Sequence, residues 1–280
     1  MNQITPAHRF FFAAVGVLAL WVGVWGYFIP AHVNLALPWL VPPLHARFLG
    51  AIYFSATVLM VGCLLARQWA EVHVVMLMIA IWTGMLFVIS VLHLADFNPA
   101  GPPTYVWFAA YFFYPLIALW LTWRNRGSAS LEAGSPPRLP VVVRAYLLAQ
   151  GLAISVLALA LLFAPGPMTA VWPWKITPLL AQVYSGPFLA YGIGSLLFAR
   201  CQTWREVRIA FFAGWVFAGG VLLASLIHHA LFSLTNLSTW LWFGAFAWAV
   251  LIMSVLCALA LLSYFQPAPG GQAQNRAISQ

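Results

Sequence analysis

The sequence predicts an all-α, polytopic membrane protein with eight transmembrane helices, arranged as two tandem four-helix repeats. Three observations support this prediction. The chain is 64% hydrophobic and only 6% charged, whereas a soluble domain carries about 25% charged residues. Its apolar residues form long runs, and a run of about 20 residues spans the ~30 Å hydrocarbon core of a bilayer. Its two halves also resemble each other at a constant separation.

Eight apolar runs are separated by segments rich in proline, glycine and polar residues. We expect the spans at 10–29, 46–66, 72–94, 105–123, 145–164, 179–199, 208–232 and 239–265. The polar segment 128–140 is predicted to be a cytoplasmic linker between a first repeat at 1–127 and a second at 141–266. The tail at 267–280 is rich in Gly, Pro, Gln and Ala, which predicts disorder.

The formal net charge of +8 does not indicate nucleic-acid binding, because the basic residues are scattered at the ends of the predicted helices. Nearly all of them fall on one side of the predicted topology. They are Arg9, Arg67, Arg124, Arg126, Arg138, Arg144, Arg200, Arg205, Arg208 and Arg276. The positive-inside rule makes that side cytoplasmic, so we expect both termini in the cytoplasm and a location in the inner membrane.

The repeat appears as a constant offset between the halves, since Arg144 follows Arg9 by 135 positions (144 − 9). The same offset relates the motif Pro38-Trp39 to Pro173-Trp174, and His93 to His228. Each unit has four spans, an even number, so both units insert with the same orientation. We therefore expect a pseudo-two-fold axis along the membrane normal.

Ionisable residues cluster at the predicted outer ends of the helices. Such residues are costly in a bilayer, and each is by default a candidate for function. The candidate substrate-binding residues are His45, Arg47, His93, Asp96, His228 and His229.

Three interpretations of this cluster stay open. In the first, the cluster is structural: Arg47 pairs with Asp96, and the histidines bond to backbone or water. The second is a polar substrate or ion site in an outward-facing vestibule. The third is metal or haem ligation by His93 with His228 or His229, since neutral imidazole is a good axial ligand.

The functional prediction is binding or transport of a small solute or lipid-like molecule, with the bilayer and that small molecule as partners and no cofactor. One alternative is a membrane redox subunit that meets quinone or holds haem b between His93 and His228. Another is a scaffold for partner proteins. No carboxylate lies in the middle of a predicted span, which disfavours a proton-coupled carrier of the usual acidic type. The chain has no metal-site or P-loop motif.

Overall fold

The computed structural model describes residues 3–39, 41–126 and 138–264. Most of the predicted linker and all of the predicted tail lie outside these residues. The described chain is helical, with two isolated bridges and no named strand.

Nine α-helices form the described part of the chain. They are α1 (Pro6–Phe28), α2 (Pro43–Leu65), α3 (His73–Leu92), α4 (Pro102–Arg124), α5 (Val141–Phe163), α6 (Pro165–Val171), α7 (Pro178–Phe198), α8 (Trp204–Ile227) and α9 (Leu237–Tyr264). Four short 3-10 helices follow or precede them, at Pro30–Leu35, Trp69–Glu71, Leu94–Asp96 and His229–Leu231. Each predicted span coincides with one of the eight long helices.

Seven of the long helices are long and apolar enough to cross a membrane, which makes the chain a multi-pass membrane protein. The eighth predicted span, α7, is a helix of 21 residues that does not belong to this set. It carries Gln182, Ser185 and Pro187, and it packs between α3 and α5. A helix enclosed by other helices contacts little lipid, so its sequence can hold more polar and small residues.

The helices pack as pairs, α1 with α2, α3 with α4, α5 with α7, and α8 with α9. The pairs then join through α2 against α8 and α3 against α7. Helices α2, α3, α7 and α8 therefore form the centre of the bundle. We call the end where α3 and α8 finish the histidine end, and the end where they begin the arginine end.

Several contacts occur twice, the second time 135 positions further along the chain. At the arginine end, the backbone N–H of a residue just before α1 or α5 donates to a carbonyl oxygen in the loop before α3 or α8. An arginine side chain at the start of α1 or α5 donates to a backbone carbonyl oxygen at the end of α2 or α7. Near the histidine end an indole N–H bonds to a serine hydroxyl. The contacts are Ile4–Arg67 and Leu139–Gln202, Arg9–Leu64 and Arg144–Ala199, and Trp107–Ser90 and Trp242–Ser225.

Glu71 links the two halves at the arginine end. Its side chain is fully buried, and its oxygens lie 3.2 Å from Arg205 and 2.9 Å from Arg208, both at the start of α8. It also accepts the backbone N–H groups of Arg67 and Gln68. The corresponding Glu206 accepts the N–H groups of Gln202 and Thr203. The described residues give Glu206 no ion pair.

The change Glu71→Gln should therefore lower stability more than Glu206→Gln. Both changes weaken the corresponding loop hydrogen bonds, but only Glu71→Gln removes a carboxylate that contacts two arginines. Losing one partner of a buried ion pair costs about 3 kcal/mol, and the part exposure of both arginines reduces this to about 1–2 kcal/mol. Thermal unfolding in mild detergent measures the difference, and equal losses would contradict a cross-half ion pair.

Candidate functional site

The two repeat-matched histidines stand at the ends of central helices. α3 ends at Leu92 with His93 as its C-cap, and α8 ends at Ile227 with His228 as its C-cap. A 3-10 turn follows each histidine. The 3-10 turn after α3 brings Asp96 Oδ2 to 3.3 Å from His93 Nδ1.

Each histidine contacts a side chain from the other half. His93 Nε2 donates to Gln182 Oε1 over 2.6 Å, which joins α3 to α7. Arg47 Nη1 donates to His228 Nε2 over 2.5 Å, which joins α2 to α8. Gln182 follows Arg47 by 135 positions (182 − 47), as His228 follows His93 (228 − 93). The same cross-half contact is thus made twice, once with arginine and once with glutamine.

The predicted structural pairing of Arg47 with Asp96 is wrong. Asp96 lies beside His93, and no carboxylate among the described residues lies within ion-pair distance of Arg47. The turn after α3 directs Asp96 to its own histidine, whereas Arg47 faces α8. Arg47 therefore keeps its positive charge beside a neutral partner.

His228 is suited to that neutral role. Burial lowers its pKa below the ordinary value of 6.5, and the positive charge of Arg47 lowers it further. In a neutral ring, Nε2 can accept a hydrogen bond from Arg47, whereas a protonated ring would place two cations together.

His45 and His229 lie outside these cross-half pairs. His45 is buried, and its Nδ1 lies 2.7 Å from the Tyr184 hydroxyl and 3.5 Å from Trp174 Nε1. It fastens the loop before α7 onto α2. His229 is exposed, and its Nδ1 lies 3.1 Å from the Leu226 carbonyl oxygen. We call Arg47, His93 and His228 the bridging set. His45 also contacts the other half, whereas Asp96 and His229 contact only their own half.

Haem ligation by the two matched histidines would require both cross-half contacts to break, because each Nε2 atom is already engaged. Within the described ranges, no group of three or more His, Cys, Asp or Glu side chains could hold a metal ion.

An aromatic layer lies beneath the bridging set. The ring of Phe48 packs against Tyr184, Phe188 and Phe217, with ring centres 4.7, 6.2 and 6.4 Å apart. Phe48 is 1% exposed. The layer separates the histidine end from the interior of the bundle.

A cavity of about 100 Å³ lies next to this layer, lined by residues of α1, α2, α3, α4, α7 and α8. Its walls are mainly apolar, with Ile52, Ala56, Met78, Phe188, Ala190 and Phe217 among the lining residues. Several residues that carry hydrogen-bonding groups also line it, namely Tyr53, Ser55, Trp82, Thr83, Tyr111, Tyr114 and Tyr191.

Two hydrogen-bond donors beside the cavity lack an acceptor. Trp82 Nε1 is buried and has no partner among the described residues. The hydroxyls of Tyr53 and Tyr111 contact each other. Each hydroxyl carries one hydrogen, so this contact uses one hydrogen and leaves the other. The rings of Tyr53 and Trp82 are 5.4 Å apart, which places the two spare donors on one wall.

The corresponding residues of the other half are phenylalanines, which have no donor, and two of them, Phe188 and Phe217, line the cavity. Counting 135 positions from Tyr53, Trp82 and Tyr111 leads to Phe188, Phe217 and Phe246. Phe217 packs against Phe188 at 6.2 Å and against Phe246 at 5.8 Å. This group of donors was not predicted from the sequence. The sequence does show that Tyr, Trp and Tyr in the first half are matched by three phenylalanines in the second half.

Comparison with models of protein families, with curated proteins and with solved structures found no match for this chain.

Acidification should destabilise the wild type more than the variant His228→Gln. The pKa of His228 is lower in the folded state, so the unfolded state binds more protons as the pH falls through about 6.5. This contribution to stability is present above that pH and is lost below it. Thermal unfolding at pH 7.5 and pH 5.5 measures the loss. The change His229→Gln serves as the matched control. A loss in His228→Gln as large as in the wild type would contradict the assignment.

Proposed function

We propose that this chain is a membrane carrier that binds a small neutral solute, with a hydrogen-bond acceptor oxygen, in the central cavity. The main support for the proposal is a pair of donors without acceptors. One is Trp82 Nε1, and the other is whichever of the Tyr53 and Tyr111 hydroxyls does not donate to the other. A buried donor without a partner costs about 1–3 kcal/mol. An acceptor oxygen placed between them removes that cost.

The rest of the cavity supports a neutral and mostly apolar solute. No charged side chain lines it, and its other walls are aliphatic and aromatic. A cavity of about 150 Å³ with such walls holds a benzene-sized molecule. The cavity here has about two-thirds of that volume, so six non-hydrogen atoms is the upper limit for its solute.

We also propose that the chain spans the membrane eight times, with α7 as the sixth span. A helix of 21 residues measures about 31 Å, which is the thickness of the hydrocarbon core. α7 also reaches both ends of the bundle. Tyr184 near its start meets His45, and Ala199 after its end accepts a hydrogen bond from Arg144.

The proposal also includes two tandem repeats related by a pseudo-two-fold axis along the membrane normal. The contacts that recur at a separation of 135 positions support it, as does the exchange of packing partners, α2 with α8 and α7 with α3. Binding sites in repeat-built carriers lie near the middle of the bilayer, where the repeats meet. The central cavity occupies such a position.

Access to the cavity would alternate between the two ends. The Phe48 layer and the cross-half contacts of Arg47 and Gln182 close the histidine end. Glu71 and its two arginines hold the arginine end. We propose that the histidine-end residues, His45, Asp96 and His229 included, form the entry to the site, and that the bridging contacts open to admit the solute.

The proposed location is a bacterial-type inner membrane with both termini in the cytoplasm. Arginines of the loops and helix ends support this orientation, because they gather at the arginine end. By the positive-inside rule that end faces the cytoplasm.

Butyramide is a suitable probe, since it has six non-hydrogen atoms, no charge and one carbonyl oxygen. Purified protein should unfold at a higher temperature with butyramide present. Proteoliposomes should take it up several-fold faster than protein-free vesicles, measured by stopped-flow light scattering. The variant Trp82→Phe keeps the ring but loses the donor, which should weaken binding about fivefold.

Two further variants complete this test. Ala56→Phe fills the cavity and should abolish both stabilisation and uptake. Trp215→Phe changes an indole that bonds to Ser254 on the surface and should behave as wild type. Uptake and unfolding that do not respond to butyramide would overturn the carrier and favour a scaffold. A Soret band that shifts on reduction would favour the redox alternative.

A further inference from the structure

A second cavity lies on the surface of the bundle, between the α1–α2 and α8–α9 pairs. This groove has a volume of about 340 Å³ and is almost wholly apolar. Residues from all four helices line it, among them Tyr27, Ala51, Phe54, Trp215, Gly219 and Val250. Phe28, at the edge of the groove nearest the histidine end, is 67% exposed, and Trp215 is 46% exposed. The groove therefore opens towards the lipid.

Glycine makes the floor of the groove. A Cβ atom on Gly219 would meet no heavy atom within 4 Å, so the space above it is open. A Cβ atom on Gly220 would lie 3.0 Å from the Cβ atom of Ala51, which brings α8 close to α2 there. An apolar groove that opens towards the lipid suits an acyl chain.

The cation nearest the groove is Arg47, at the histidine end. Arg47 lies one helical turn from Ala51, on the same face of α2. Tyr27, which lines the groove, donates to the Gly220 carbonyl oxygen over 2.8 Å and ties α1 to α8 there. Arg47 has only the neutral His228 as a side-chain partner in the described chain. Its remaining N–H donors are therefore available to an anion.

We infer that this groove holds one anionic phospholipid, with its phosphate on Arg47 and an acyl chain along Gly219 and Gly220. Arginine binds phosphate through short, charge-assisted hydrogen bonds. Lipid tails are as apolar as the groove, so the chain contributes fit rather than a hydrophobic driving force. The preference for an anionic headgroup must come from Arg47.

The other half of the molecule lacks these features at the corresponding positions. Gln182 stands where the first half has Arg47, and Met85 stands where the second half has Gly220. Asp96 next to His93 adds a negative charge there. The lipid site is therefore single, although the helix arrangement around it occurs twice. It is separate from the central cavity, and its test does not depend on solute uptake.

Native mass spectrometry of the delipidated protein in mild detergent tests this site. With added dioleoyl-phosphatidylglycerol, one lipid should bind about fivefold more tightly than dioleoyl-phosphatidylcholine. The variant Arg47→Gln copies the other half and should remove the preference. The variant Gly219→Leu fills the groove and should weaken both lipids several-fold.

Matched controls separate this site from general charge. The change Arg126→Gln removes the same charge at the arginine end and should leave the preference intact. Inorganic phosphate at millimolar concentration should not displace the lipid. The inference is overturned if Arg47→Gln keeps the preference, or if phosphate alone competes, which would indicate a soluble anion. It is also overturned if Gly219→Leu changes only the oligomeric state, which would make the groove an interface between copies.

Discussion

A polar side chain inside a bilayer has no water to bond with, and it must find its partner in the protein. Here the main partners come from the opposite half of the chain. Glu71 holds Arg205 and Arg208, Arg47 holds His228, and Gln182 holds His93. Because the helix pairs of each half pack chiefly on pairs of the other half, these polar contacts clamp the bundle at both ends. The interior between the clamps is left to aromatic packing and a cavity.

Several contacts recur at a separation of 135 positions, but the chemistry differs at other matched positions. Arginine in one half corresponds to glutamine in the other, and Glu71 bridges the halves while Glu206 caps its own loop. Trp82 corresponds to Phe217, and Gly220 to Met85. Glu71 and Arg47 lie at the two ends of the bundle, whereas Trp82 lines the cavity and Gly220 lines the groove, where a ligand would need an unequal environment.

Much of the fold was predictable because long apolar runs and their proline and glycine boundaries are local signals. All eight predicted spans are helices, and the exposed Asp96 beside His93 was within reach of a spacing argument. The partner of Arg47 was not predictable, because it depends on how α2 crosses α8. Gln182 was visible only as the counterpart of Arg47. The contact between Tyr53 and Tyr111 joins α2 to α4, and no pattern within either helix indicates it.

Water is the simplest occupant to set against a solute in the central cavity. A buried water usually makes about three hydrogen bonds, and it donates as well as accepts. The unpartnered groups beside this cavity are donors, Trp82 Nε1 and a tyrosine hydroxyl. The nearby hydroxyls of Ser55 and Thr83 donate to the carbonyl oxygens of Ala213 and Ile79, and their oxygens keep lone pairs that can accept. A carbonyl oxygen has two lone pairs and no hydrogen to place, so it can take both spare donors at once. The rest of such a molecule can then lie against the phenylalanines that line the cavity, where water would find no partner.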